Sequence, residues 1–90
     1  MLKISKVESV SHAVTLRLEG RVVGPWVAVL QKSCEEVLAE RRSLQLHLAD
    51  VEFMDAAGVT LLGELRSRGA AIVDPPPFVT AQLKVKGRLH

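Results

Sequence analysis

Cysteine and aromatic residues are scarce in this 90-residue chain, which has one Cys, one Trp, two Phe and no Tyr. A single cysteine, Cys34, excludes an internal disulfide, so apolar packing must hold the fold unaided and a reducing, cytoplasmic setting is expected. So few aromatics leave almost no platform for stacking bases. The net charge of +2 is too small an excess to point to nucleic acid. Long apolar runs are missing too: none approaches the roughly 18 residues of a membrane span, and no secretory pattern opens the chain. The stretch from Gly20 to Gly24 lacks the Gly-Lys-Ser/Thr ending of a phosphate-binding loop. What is present is 48% apolar and 24% charged, the balance of an ordinary globular domain and not of a disordered chain. The length leaves room for one small core.

Hydrophobic periodicity supplies the elements. Leu2 and Ile4 alternate in residues 2–7, a modest strand signal, and polar residues 8–12 suit a hairpin turn. Val14, Leu16 and Leu18 face one way in residues 13–19 while Thr15, Arg17 and Glu19 face the other, as in a half-buried strand. Pro25 suits the first position of a helix over residues 25–41. Its apolar stripe is Trp26, Val29, Leu30, Ser33, Cys34, Val37 and Leu38. Leu44, Leu46 and Leu48 alternate again over residues 43–49, and residues 50–55 read as a loop. Asp55 then stands where a helix N-cap belongs. The helix it opens covers residues 56–68, with Ala57, Leu61, Leu62 and Leu65 as its stripe and Gly69 at its end. Residues 70–73 form a short buried strand stopped by Asp74 and Pro75 to Pro77, residues 78–83 form one or two helical turns, and residues 84–90 carry no clear pattern. The expected architecture is α/β, a small mixed sheet in β-β-α-β-α-β order with the helices mainly on one face. One domain is expected over residues 1–83, with residues 84–90 as a tail.

No catalytic set of Ser-His-Asp or Cys-His type is in view, so the chain does not read as an enzyme. Cys34 lies on an apolar stripe and reads as a buried, inert thiol. His47, on the polar side of a strand, lacks ligand spacing to other His or Cys residues, so no metal or other cofactor is expected. Asp50, Glu52 and Asp55 lie close in sequence and could hold a cation, although carboxylates capping a turn are the commoner outcome. Trp26 reads as a lid on the core, with a partner anchor as the lesser alternative. Arg41, Arg42, Lys84, Lys86 and Arg88 read as solvated charge.

The segment Val14-Thr15-Leu16-Arg17-Leu18-Glu19-Gly20, the helix 25–41, the strand Leu44 to Leu48 and then Asp50-Val51-Glu52-Phe53-Met54-Asp55-Ala56-Ala57-Gly58-Val59 with Leu61-Leu62 together resemble the STAS family. These are the domains named for sulfate transporters and anti-sigma factor antagonists. The resemblance covers about residues 10–83 and implies a shortened STAS fold. Similar proteins of the anti-sigma antagonist type carry Asp-Ser-Ser-Gly or Asp-Ser/Thr-x-Gly at the second helix start, and a partner kinase phosphorylates the first hydroxyl. Here that position is Ala56 and the next is Ala57, so the hydroxyl is absent. Thr60 is the nearest hydroxyl, one turn on, and is a minor candidate for modification.

The resemblance implies a bacterial, cytoplasmic interaction module that regulates transcription by binding a kinase-like anti-sigma factor. The implied contact is Phe53, Met54, Asp55, Ala56, Ala57, Gly58 and Val59. Within it, Ala56 is expected at the contact, Val59 to add apolar area, and Ala57 to pack inward. An alternative is a STAS-like subunit of a lipid or anion transport assembly, binding its ATPase. A third is a nucleotide-binding module. Nucleic acid and direct membrane insertion are not expected; a homodimer is conceivable through the exposed sheet face and edge strands.

Overall fold

A computed structural model of the chain describes residues 2–8 and 12–87. The elements run β1 (Leu2–Glu8), β2 (Ala13–Val22), α1 (Pro25–Ala39), β3 (Ser43–Met54), α2 (Ala56–Ser67), β4 (Ala71–Val73) and α3 (Pro77–Gly87). One four-stranded sheet has the order β1-β2-β3-β4. β1 pairs antiparallel with β2, while β2–β3 and β3–β4 are parallel, each joined through a helix. The sheet is therefore mixed, as the pattern implies. Residues 9–11 of the expected hairpin turn, and residues 88–90, lie outside the described residues.

One core lies between the sheet and the helices. Alternation in β2 buries Val14, Leu16 and Leu18, and in β3 it buries Leu44, Leu46 and Leu48. Against them pack Leu30, Cys34 and Val37 of α1, Leu61, Leu62 and Leu65 of α2, and Val79 and Leu83 of α3. Each fully buried Leu or Val contributes about 1.5–3 kcal/mol relative to staying in water, so this row is the main source of stability. The opposite sheet face is polar. Arg17 donates to Asp50 at 2.7 Å, Thr15 donates to Gln45 at 3.2 Å, and Lys3 lies 3.9 Å from Glu19.

Four sequence expectations are corrected. The loop over 50–55 is strand as far as Met54, because β3 carries an extra residue between His47 and Asp50 and another between Val51 and Phe53. These bulges replace the spacing of two by three, so Leu48, Val51 and Met54 are the buried positions. Val29 is 46% exposed instead of lining α1's buried stripe, and Val27 packs against the core in its place. Ala57 is exposed, since α2 turns Gly58 and Val59 toward the sheet. The helical turns expected over 78–83 extend to an 11-residue helix that takes in residues 84–87.

Candidate functional site

Parallel pairing brings the C-terminal ends of β2 and β3 side by side, with Val22 opposite Met54. The chain leaves each strand directly into a helix, so the starts of α1 and α2 are neighbours. Asp55 joins them. Its backbone is extended (φ −82, ψ 177), and its amide donates to the Val22 carbonyl at 3.1 Å, carrying the ladder one residue past the strand. Its carboxylate then accepts from the Gly58 amide at 2.8 Å as the N-cap of α2. The other carboxylate oxygen accepts from the Gly24 amide at 3.0 Å, immediately before α1. These backbone donors, Gly24 first and Gly58 second, hold the Asp55 carboxyl below the usual carboxylate range.

Both glycines are required by geometry. Gly24 has φ +55 and ψ −131, a conformation that side-chain-bearing residues rarely adopt, and nothing lies within 4 Å of where a Cβ would be. At Gly58 space decides. A Cβ there would come within 2.7 Å of Met54 Cγ and 3.1 Å of both Val22 Cγ1 and the Val22 carbonyl oxygen. The first turn of α2 thus lies directly on the strand ends.

The seven residues expected at a contact divide by burial. Met54 is 1% exposed and Val59 is 6% exposed, so both belong to the core; the inward turn of α2 takes Val59 away from the surface expected of it. Gly58 is buried beneath the strand ends. Phe53 is 45% exposed, Ala56 and Ala57 are exposed, and Asp55 is half-buried. Arg21, overlooked in the sequence, sits with its guanidinium 5.3 Å from the centre of the Phe53 ring. Its link to Phe53 follows from the β2–β3 register, which directly opposes the two residues.

Thr60 is half-buried, and its hydroxyl donates to the Ala56 carbonyl at 3.0 Å. Asp50 and Asp55 do not converge with Glu52 on a cation. Asp50 is paired with Arg17, Asp55 is engaged by backbone amides, and no three His, Cys, Asp or Glu side chains form a ligand cluster among the described residues. Cys34 is fully buried, and burial pushes its thiol up to about 12, beyond any nucleophilic use near neutrality. Trp26 is half-buried against the core. No helix among the described residues is long and apolar enough to cross a membrane.

A small mixed α/β domain with a carboxylate-capped helix on the ends of its parallel strands is the architecture of STAS domains. The chain belongs to the family described as "Mlab, STAS domain", whose model matches residues 5–88. Its fold is shared with an anti-sigma factor antagonist from Mycobacterium paratuberculosis, at a TM-score of 0.82 and 17% identity over 98% of this chain and 80% of that one. It is also similar to the anti-sigma factor antagonist SpoIIAA in its unphosphorylated form, at 0.73 and 19% identity over 91% and 82% of the two chains. A part of Mglu superposes as well, at 0.61 and 24% identity, with 78% of this chain covering 19% of that one. At these identities the likeness is one of fold. No curated protein sequence matches the chain.

Proposed function

We propose that this domain is a non-catalytic protein-binding module of the anti-sigma factor antagonist type, which docks a kinase-like anti-sigma factor through the first turn of α2. The observation that carries the reading is the exposure of Ala56 and Ala57 in the first turn of α2. Small side chains there let a partner approach the helix backbone closely, and Asp55 fixes that backbone by its bonds to Gly24 and Gly58. Ala56 has no hydroxyl, so the surface cannot be switched by phosphorylation at that position.

That lack of a hydroxyl also favours a second reading. A contact without that switch suits a standing subunit as well as a regulator, so the partner could be the ATPase of a membrane transport assembly held by the same residues. Affinity capture from the native lysate separates the two, with the wild type compared against Ala56→Glu and retained proteins identified by mass spectrometry. A glutamate suits the first turn of a helix and leaves the fold intact. A kinase-like anti-sigma protein retained by the wild type and lost by the variant supports the first reading, and a transport ATPase behaving the same way supports the second. Equal retention of one partner by both proteins overturns the site.

A further inference from the structure

The end of α2 remote from Asp55 borders a second feature. A helix of 12 residues is roughly 18 Å long, so this region is well separated from the first turn. Between the last turn of α2, the short strand β4 and α3 lies an open cleft of about 350 Å³, lined by Arg66, Ile72, Pro75, Thr80, Leu83 and Lys84. Its size falls at the lower end of the range for small-ligand sites. The lining is divided by chemistry. Leu83 is buried and Ile72 and Pro75 are half-buried, giving an apolar floor. Arg66, Thr80 and Lys84 are exposed and form a polar rim. Thr80 and Lys84 are four residues apart in α3 and so share one helical face, while Arg66 comes from α2.

Among the described residues the rim carries two cations and no carboxylate. Several other cations are matched, Arg17 with Asp50, Arg42 with Glu8 and Arg68 with Glu35, whereas Lys32 and Arg41 stand apart from any described carboxylate on open surface. Among the described residues neither Arg66 nor Lys84 makes an ion pair. Two positive side chains therefore border one apolar cleft with no counter-charge from the described residues, and Thr80 adds a hydroxyl donor.

We propose that this cleft binds a small amphipathic anion, a carboxylate or phosphate monoester carried on a short apolar body. The anionic head lies between the Arg66 guanidinium and the Lys84 ammonium and accepts from Thr80. The apolar body lies over Ile72, Pro75 and Leu83. Arginine matches the oxygens of such a head with paired donors, and lysine adds a point charge. The same chemistry is offered by a free metabolite and by a lipid headgroup.

The test is a backbone-amide NMR titration of the full chain with octyl phosphate below its micelle threshold. Inorganic phosphate and octanol serve as probes of the head and the body separately. Saturable shifts centred on residues 66, 72, 80 and 84 are expected with octyl phosphate, with much weaker binding of either half alone. Arg66→Gln and Lys84→Gln, both at exposed positions, should each weaken binding roughly tenfold, the scale of one lost charge-assisted contact. Co-flotation of the wild type, but not of Arg66→Gln, with phosphatidic acid vesicles assigns the head to a lipid. Octyl phosphate binding without co-flotation assigns it to a free anion. Absence of saturable shifts at millimolar ligand overturns the proposal, as does equal binding by the wild type and the Arg66→Gln/Lys84→Gln double variant.

Discussion

Replacing Gly58 by alanine tests the packing that places the first turn of α2 on the strand ends. In an unobstructed helix the change is favourable, since alanine exceeds glycine by about 1 kcal/mol. Here the added methyl meets Met54 Cγ at 2.7 Å and two atoms of Val22 at 3.1 Å. The Met54 side chain can turn aside. The Val22 carbonyl cannot, because the Asp55 amide already donates to it at 3.1 Å and it belongs to the end of the parallel ladder. Over-packing of this kind costs about 1–3 kcal/mol, with the upper part of that range expected where backbone is involved. Subtracting the helix gain leaves a net loss of about 1–2 kcal/mol. For a domain of this size that lowers Tm by roughly 4–16 °C.

Gly63 is the internal control. It lies in the same helix, and nothing stands within 4 Å of its absent Cβ. Gly63→Ala should therefore raise stability by about 0.5–1 kcal/mol through helix propensity alone. Urea unfolding of the three proteins at one pH, followed by far-ultraviolet circular dichroism, gives both signs in one experiment. A Gly58→Ala protein as stable as the wild type would refute the close approach, and two substitutions shifting stability in the same direction would refute the distinction between the sites.

Other outcomes follow from particular residues. Arg41, the residue after the Glu40 cap of α1, has φ +58, a left-handed conformation that glycine adopts freely, and its side chain makes no bond among the described residues; Arg41→Gly should stabilise by about 0.5–1 kcal/mol in the same urea assay. The Asp55 carboxyl is held low by the amides of Gly24 and Gly58, so its contribution is present above the usual carboxylate range and is lost as pH falls through its lowered value. Urea midpoints followed into acid should therefore fall more steeply for the wild type than for Asp55→Asn; the difference is partial because Glu8, beside Lys6 and Arg42, is also held low, and parallel acid limbs would contradict the cap. Cys34 has its thiol raised to about 12, so the stability tied to the neutral thiol is present below the ordinary thiol value and is lost as pH rises toward 12. At neutral pH Cys34 should react with an aromatic disulfide reagent only as fast as the domain opens, and rapid labelling of the folded protein would show that the helix face is not closed.

The sequence announces the fold wherever burial is one-sided and regular. Val14, Leu16 and Leu18, and later Leu44, Leu46 and Leu48, alternate because one face of the sheet meets helices and the other meets water. From residue 49 onward that code changes. Two bulges insert residues into β3, so Val51 and Met54 follow Leu48 at intervals of three, and a period of three is not a strand signal. Composition in that stretch therefore points to a loop although the ladder with β2 continues. The same change moves Met54 from a candidate contact into the core and leaves Phe53 opposite Arg21. In the helices the error is one of rotation. Val27 rather than Val29, and Gly58 rather than Ala57, lie toward the sheet. Apolar content alone cannot fix a helix's rotation when neighbouring positions are all small or aliphatic.

The cap illustrates the same limit at the candidate site. Asp55 three residues before Gly58 is readable as an N-cap, because that bond is local and depends only on spacing. Its second bond, to the Gly24 amide, reaches back 31 residues and exists only because β2 and β3 are parallel neighbours that end together. One carboxylate therefore holds two helix starts, and the second attachment has no sequence signature beyond a glycine before a proline. The rigidity of the surface around Ala56 rests on both bonds. Asp55→Asn leaves an oxygen for the local cap, but it replaces the other acceptor with an amide that donates and cannot accept from Gly24. The variant should consequently keep α2 while loosening the start of α1. Amide exchange measured residue by residue should show faster exchange at Gly24 with little change within α2. Exchange accelerated equally along both helices would mean that the carboxylate serves the fold as a whole and does not specifically tie the two starts together.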